Sequence, residues 1–379
     1  EGKLFHDQEM KDYLSDQNPY GDWVKGVSHI DSLRDKDNVN EGTSERIFNS
    51  KDLQSRQLAF GQSMEDMELI LHPMAEIGKE ATGSMGDDTP LAVLSDKYRG
   101  LHHFFRQAFS QVTNPPIDSL RERQVMSLNT RFGNLNNILA EEDDQCETLQ
   151  LDSPVLSNSA FITVREYLGE AAAEIDCTFI PADGPEALHN ALNRIRQEAE
   201  DAVRGGRTHL ILSDMAMSED RAPVPMIMAT SGVHTHLIAQ SLRTFTSINV
   251  RSAECFGVHY FAVLIGVGAT TVNPYVAEET ICERHSKGLF GELFLSKCIS
   301  NYVSAIDQGL LKIMSKMGIS VISSYRGGCN FEAIGLSRAL VAEFFPGMSS
   351  RISGIGLSGI WNKVTSQHAK AFDEEVTPL

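Results

Sequence analysis

From about residue 150 onward, short runs of consecutive apolar residues alternate with longer stretches in which apolar positions recur every three or four residues. Thr208 to Leu212 is a continuous apolar run and predicts a buried strand ending at Ser213-Asp214. Ala173 to Ile180, Ile248 to Glu254, Ala269 to Val272 and Ile319 to Ile322 predict further strands, and Pro154 to Leu156 a short one. Between them, Pro185 to Gly205 carries Ala187, Leu188, Leu192, Ile195, Ala199 and Val203 at helical spacing and closes on Gly205-Gly206. Pro225 to Leu242, Gly257 to Ile265, Cys298 to Met317 and Glu332 to Phe345 predict further helices. Continuous apolar strands alternating with helices predict an α/β fold whose parallel strands are covered on both faces. The spacing leaves two architectures open, a doubly wound sheet or a closed (β/α) barrel. No G-x-G-x-x-G follows any strand, so a dinucleotide-type first turn is missing.

The first 150 residues have a different texture. Residues 1–50 are polar and acidic, and predict an extended connector with little core of its own, anchored by Tyr20 and Trp23. In residues 51–150, Met64, Met67, Leu69, Ile70 and Leu71 predict a helix starting after Ser63. Leu91 to Leu94 predicts a short buried strand. His102 to Val112 predicts a helix that stops at Thr113-Asn114-Pro115-Pro116, because two prolines cannot continue it. Residues 141–148 predict an acidic, exposed break.

Composition narrows the function classes. The 379 residues are 41% apolar and 22% charged, with a formal charge of −18. That excess of acid argues against binding a nucleic-acid backbone or an anionic membrane surface. The longest apolar stretch, Tyr260 to Ala269, is far short of the roughly 20 residues a bilayer crossing needs. Cys146, Cys177, Cys255, Cys282, Cys298 and Cys329 are scattered with no C-x-x-C pair. They predict reduced thiols in a cytoplasmic protein. The chain opens on Glu1 without a signal peptide, as expected of a segment cut from a longer chain.

Candidate chemistry is sparse. His234 and His236 fall on a predicted helix, where residues two apart point about 200° around the axis, so they do not converge on a metal. His102-His103 diverge for a similar reason, and His259 reads as a hydrogen-bonded core histidine. Asp214, Asn273 and Arg326 each follow a predicted strand. They would grip a phosphorylated or carboxylated metabolite there, or else cap helices and tie loops together. Tyr325-Arg326-Gly327-Gly328 and Gly354-Ile355-Gly356-Leu357-Ser358-Gly359 would cradle a phosphate, or serve as loops that need glycine.

Longer strings carry more weight. Residues 57–61 (QLAFG), 83–95 (GSMGDDTPLAVLS), 111–118 (QVTNPPID), 151–154 (LDSP), 268–275 (GATTVNPY), 312–320 (KIMSKMGIS) and 350–356 (SRISGIG) together resemble the central domain of the glutamate synthase large subunit, in order and over nearly the whole chain. The resemblance implies a parent that converts glutamine, 2-oxoglutarate and reductant into two glutamates. An amidotransferase domain precedes the central domain, and a barrel carrying FMN and an iron–sulfur cluster follows it. NADPH, through a small electron-transfer subunit, or ferredoxin supplies electrons. Residues 1–45 then correspond to the tail of the amidotransferase domain and 46–379 to the central domain, divided at 150. This domain is expected to be a degenerate, barrel-like α/β domain with no catalytic residues, metal or cofactor of its own, spacing two active sites and contributing to an ammonia tunnel. The rigid loop with Thr113 and Asn114 is the candidate tunnel wall, and Ser84 and Thr89 are weaker candidates. The alternative is a stand-alone barrel enzyme acting on a small anionic metabolite at its strand-end loops.

Overall fold

A computed structural model describes residues 2–33, 46–81, 91–108, 118, 120–133, 139–140 and 142–373. The predicted alternation organises its centre. Four parallel strands, β1 (Ala172–Asp176), β2 (His209–Ser213), β3 (Ser247–Arg251) and β4 (Thr271–Asn273), lie side by side in chain order. Ala172 pairs with His209, His209 with Ser247, and Asn249 with Thr271. Helices α1 (Asn158–Leu168), α2 (Ala187–Arg204), α3 (Met226–Ala239), α4 (Val258–Gly266), α5 (Tyr275–Ser286) and α6 (Leu295–Met317) surround this sheet.

The period of two along each strand divides the sheet into two faces. Leu210, Leu212, Ile248, Val250 and Val272 face the main core with the apolar sides of α2, α3 and α4. Ile211 faces the other way, into a second core with Phe161, Val164 and Leu168 of α1 and Phe132 of a small sheet. That small sheet pairs Ser28–His29 parallel to Leu149–Leu151, which runs antiparallel to Thr130–Phe132. Because both faces are covered, the strands read as unbroken apolar runs.

Several expectations need correction. The first residues are more than a connector. They include helices at Asp7–Ser15, Tyr20–Trp23 and Ile30–Leu33, and Ile30 and Leu33 pack on the second core. Tyr20 and Trp23 pack against each other, ring edge to ring face at 5.2 Å. Leu91–Leu94 is no buried strand. Ala92–Leu94 is a single 3₁₀ turn, with Leu94 75% exposed. The helix expected from His102 is a 3₁₀ turn, Leu101–Phe104, followed by a strand, Phe105–Gln107. The helix expected from Glu332 begins instead as the strand Phe331–Leu336, and only Arg338–Phe344 is helical. Both errors have one cause. Phe331–Leu336 pairs antiparallel with Phe105–Gln107 and parallel with Ser349–Ile355, and pairing over that separation outweighs local propensity. Ile319–Ile322 is no strand of the sheet. Val321 forms one bridge with Ser127, and Ile322–Tyr325 is helical.

The helix after Ser63 forms, but Met67–Leu71 is a π turn within it, and Leu69 is exposed. Ser63 caps it by accepting from the Asp66 amide. Pro154–Leu156 reduces to one parallel bridge, Val155 to Val272. Among the described residues no helix is long and apolar enough to cross a membrane.

Candidate functional site

The carboxyl ends of the parallel strands carry a buried polar cluster. Asp214, directly after β2, is fully buried, and both its oxygens accept from the Ala253 amide at 3.0–3.1 Å. Ser252 donates a third hydrogen bond at 3.1 Å, and the Tyr275 hydroxyl a fourth. Burial nevertheless pushes the Asp214 carboxyl up to about 6. Tyr275 opens α5, and its hydroxyl accepts from Arg56 Nη1 at 2.9 Å. Arg56 Nη2 also donates to the carbonyls of Met215 (2.9 Å) and Met217 (3.3 Å), and its guanidinium stacks 4.4 Å from the Phe48 ring. An arginine from the helix Ser50–Ala59 is thereby tied through tyrosine to an aspartate at the sheet end.

Asn273, at the end of β4, is equally buried. Its amide nitrogen donates to the Leu156 carbonyl at 2.9 Å and to Asn158 Oδ1 at 3.0 Å. Glu278 on α5 accepts the Asn158 amide at 2.7 Å, and its carboxyl is pushed up to about 7 by burial. Glu279 beside it accepts the amides of Ile47 and Phe48, fastening the segment that leads into the Arg56 helix. Each of these acids accepts hydrogen bonds from neighbouring groups of the chain, backbone amides in every case and hydroxyls as well at Asp214. A cavity in the second core, lined by Phe132, Leu156, Phe161, Leu168 and Ile211 among others, is apolar and holds no more than about one water.

The structure separates the three strand-end candidates. Asp214 and Asn273 share the carboxyl end. Arg326 lies at the opposite end, donating from Nε to the carbonyl of Ala269 at 2.9 Å, two residues before β4 begins. The metabolite pocket touching all three is therefore not formed.

His234 and His236 diverge as their helical spacing predicts, but His102 and His103 do not, since they stand on a 3₁₀ turn with their rings 4.1 Å apart. On α3, His236 meets Glu200 at 2.6 Å while His234 faces Arg243. His259 Nε2 contacts the carbonyls of His102 and Phe105 at 3.1 and 3.0 Å. Among the described residues no three His, Cys, Asp or Glu side chains are grouped as a metal site requires, and none of the six cysteines forms a disulfide. Thr113, Asn114, Ser84 and Thr89 lie outside the described residues. The glycines from Gly354 to Gly359 join the strand Ser349–Ile355 to the helix Leu357–Ala371.

Sequence reasoning missed Arg56 and the whole of α5. Almost every residue of α5 from Tyr275 to Cys282 is buried, including Glu278 and Glu279, so it lacks the polar stripe that marks a helix. Its signal was Pro274, which stands immediately before the first helical residue.

Comparison with known proteins agrees with the resemblance carried by the longer strings. A family profile described as "Glutamate synthase central domain" matches residues 55–337. The "Glutamate synthase [NADPH] large chain" of Azospirillum brasilense is 65% identical over 378 residues, covering 100% of this chain and 25% of that protein. "Ferredoxin-dependent glutamate synthase 2" of Synechocystis is 36% identical over 395 residues, again 100% of this chain and 25% of that protein. Among solved structures, a double-mutant flavocytochrome b2 with pyruvate bound aligns with 84% of this chain and 97% of its own, at 10% identity and a TM-score of 0.38, a likeness too slight to bear on the fold. The chain spans about a quarter of the length of these curated relatives. Since the profile matches most of the chain and the identity runs from end to end, the chain belongs to the glutamate synthase central domain family.

Proposed function

We propose that this chain works inside a glutamate synthase as a non-catalytic domain that sets the spacing between a glutaminase site and an FMN-dependent synthase site. Its partners are the amidotransferase and FMN-binding domains of the same parent chain, in the cytoplasm. FMN, the iron–sulfur cluster and the NADPH or ferredoxin electron source act through those other parts. Residues 1–45 belong with the amidotransferase domain, and 46–379 form the spacer.

The observation that carries this reading is the strand-end cluster. Asp214, Asn273 and Glu278 stand where α/β enzymes keep their reactive groups, yet each is buried and bonded internally. The strand order supports descent from a barrel. β1 to β4 follow one another in a single direction, like an arc of barrel wall, without the reversal that creates a doubly wound crevice. The face that would line a barrel is filled by Phe132, Phe161 and Ile211.

A spacer between an ammonia source and an ammonia consumer also serves as tunnel wall, with the Thr113–Asn114 loop as the segment concerned. Thr113→Trp in the full-length synthase tests this. Glutamine hydrolysis should persist while glutamine-dependent glutamate formation falls about tenfold or more and ammonia appears in the medium, as expected when a bulky ring blocks a narrow path. Unchanged coupling, with no ammonia released, would refute the tunnel assignment. Separately, the purified 379-residue chain should release no flavin on denaturation, and a stoichiometric flavin would overturn the non-catalytic assignment.

A further inference from the structure

At the end of the sheet opposite Asp214, two guanidinium groups stand on consecutive carbonyls. Arg243 Nη2 donates to the Gly268 carbonyl at 3.0 Å, and Arg326 Nε to the Ala269 carbonyl at 2.9 Å. Arg243 also donates from Nη1 to the Thr246 carbonyl (2.6 Å) and from Nε to His234 Nδ1 (2.9 Å). All the acceptors are neutral. Neither arginine has a carboxylate partner among the described residues, although the chain carries 51 acidic side chains. Arg326 Nη2 is buried with no partner at all.

The hydrogen bond from Arg243 also determines the histidine tautomer. A guanidinium only donates, so His234 Nδ1 is the acceptor and the ring proton sits on Nε2. Burial, then the charges of Arg243 and Arg326, push His234 down to about 3, so the ring is neutral. Its Nε2 edge looks onto the loop after Arg326. A Cβ on Gly327 would come within 3.1 Å of Nε2, and one on Gly268 within 2.5 Å of the ring. Both glycines have positive φ, +70° and +123°. The two glycines thus let the backbone close around this ring, as a side chain would not.

Three donor groups therefore meet with no anionic acceptor among them. Like charges this close repel, and both side chains are partly withdrawn from water with no counter-charge beside them. Both arginines are pushed down to about 10, yet remain cations at neutral pH. The carbonyls are already taken by the arginines, and the groups left over, Arg326 Nη2 and His234 Nε2, are N–H donors beside two positive charges, a set complementary to an oxyanion. We propose that His234, Arg243 and Arg326 form a binding site for a small oxyanion, a carboxylate or phosphate group, at the amino end of the parallel sheet. The site includes the Tyr325-Arg326-Gly327-Gly328 stretch and uses neither the proposed tunnel loop nor the Asp214 cluster.

The test is a titration of the full chain with inorganic phosphate and, separately, with succinate. Chloride holds the ionic strength constant, and the unfolding temperature is the readout. At least one anion should raise that temperature along a saturating curve. A response to phosphate alone assigns the phosphate class, and a response to succinate alone the carboxylate class. Arg326→Gln should move the midpoint at least about tenfold higher in anion concentration, as loss of a charge-assisted donor predicts. Circular dichroism checks that this variant folds, and Arg326→Lys, which keeps the charge, should recover part of the affinity. A wild-type chain with no saturating response to either anion would overturn the site whatever the variants do, as would an Arg326→Gln protein that titrates like wild type.

Discussion

Arg56→Ala is expected to cost about 3–5 kcal/mol of stability, because it leaves the Tyr275 hydroxyl and the Met215 and Met217 carbonyls short of a donor in a buried site. Each such loss costs about 1–3 kcal/mol, and the Arg56 side chain also fills space against Phe48 and Tyr275. Arg56→Lys should recover less than half of the loss. A lysine ammonium keeps the charge but does not span three acceptors held in the plane of a guanidinium fork. Urea unfolding at neutral pH measures both variants. A cost below about 1 kcal/mol for Arg56→Ala would mean that the hydrogen bonds are replaced by water and that the helix Ser50–Ala59 is held by apolar contact alone.

Stability should be level between about pH 4.5 and 6 and fall as the pH rises through 7. Burial pushes Glu278 and Asp307 up to about 7 and Asp214 to about 6, against about 4 in an unfolded chain. Between those values the unfolded chain has released protons that the folded chain still holds. Each group then removes up to about 1.4 kcal/mol of stability per pH unit as the pH rises. The buried histidines act in the opposite sense. His103 and His209 are pushed down to about 4 and His234 to about 3. From about pH 4 to 6.5 the unfolded chain binds protons there that the folded chain refuses, so stability rises with pH. The two sets offset one another until the histidines finish titrating near 6.5, the ordinary histidine value. Above that the carboxyls act alone. Asp307 is partly exposed and contributes less than the ceiling, so Glu278 is the informative residue. Glu278→Gln keeps an acceptor for the Asn158 amide and removes the charge. It should raise stability at pH 8 by about 1–3 kcal/mol and flatten the alkaline decline. Denaturation curves for the variant that run parallel to wild type from pH 6 to 8 would remove Glu278 as the cause.

The legible parts of the chain were those whose environment is uniform along the element. His209–Ser213 is buried on both faces, and Ala187–Arg204 is buried on one and wet on the other, so each announces itself without knowledge of its neighbours. Alternation of such elements was enough for the α/β class, and the longer strings were enough for the family. The candidate site was half legible. Asp214 and Asn273 follow apolar strands in the sequence, and they do sit together. Arg326 follows an apolar run too, but Ile319–Ile322 forms only one bridge and a helical turn, so nothing brings Arg326 to the same end.

What the sequence determined alone was therefore the local alternation, the acidic surface, the divergence of His234 from His236, and the kinship with glutamate synthase central domains. Tertiary structure decided that Phe331–Leu336 is a strand, that the fully buried α5 is a helix, that Arg56 reaches Asp214 through Tyr275, and which sheet end receives Arg326. The division has a physical cause. Periodicity and helix stops act within a few residues, whereas a strand partner such as Phe105–Gln107, or a buried hydrogen bond across 219 positions of sequence, exists only once the chain has closed on itself.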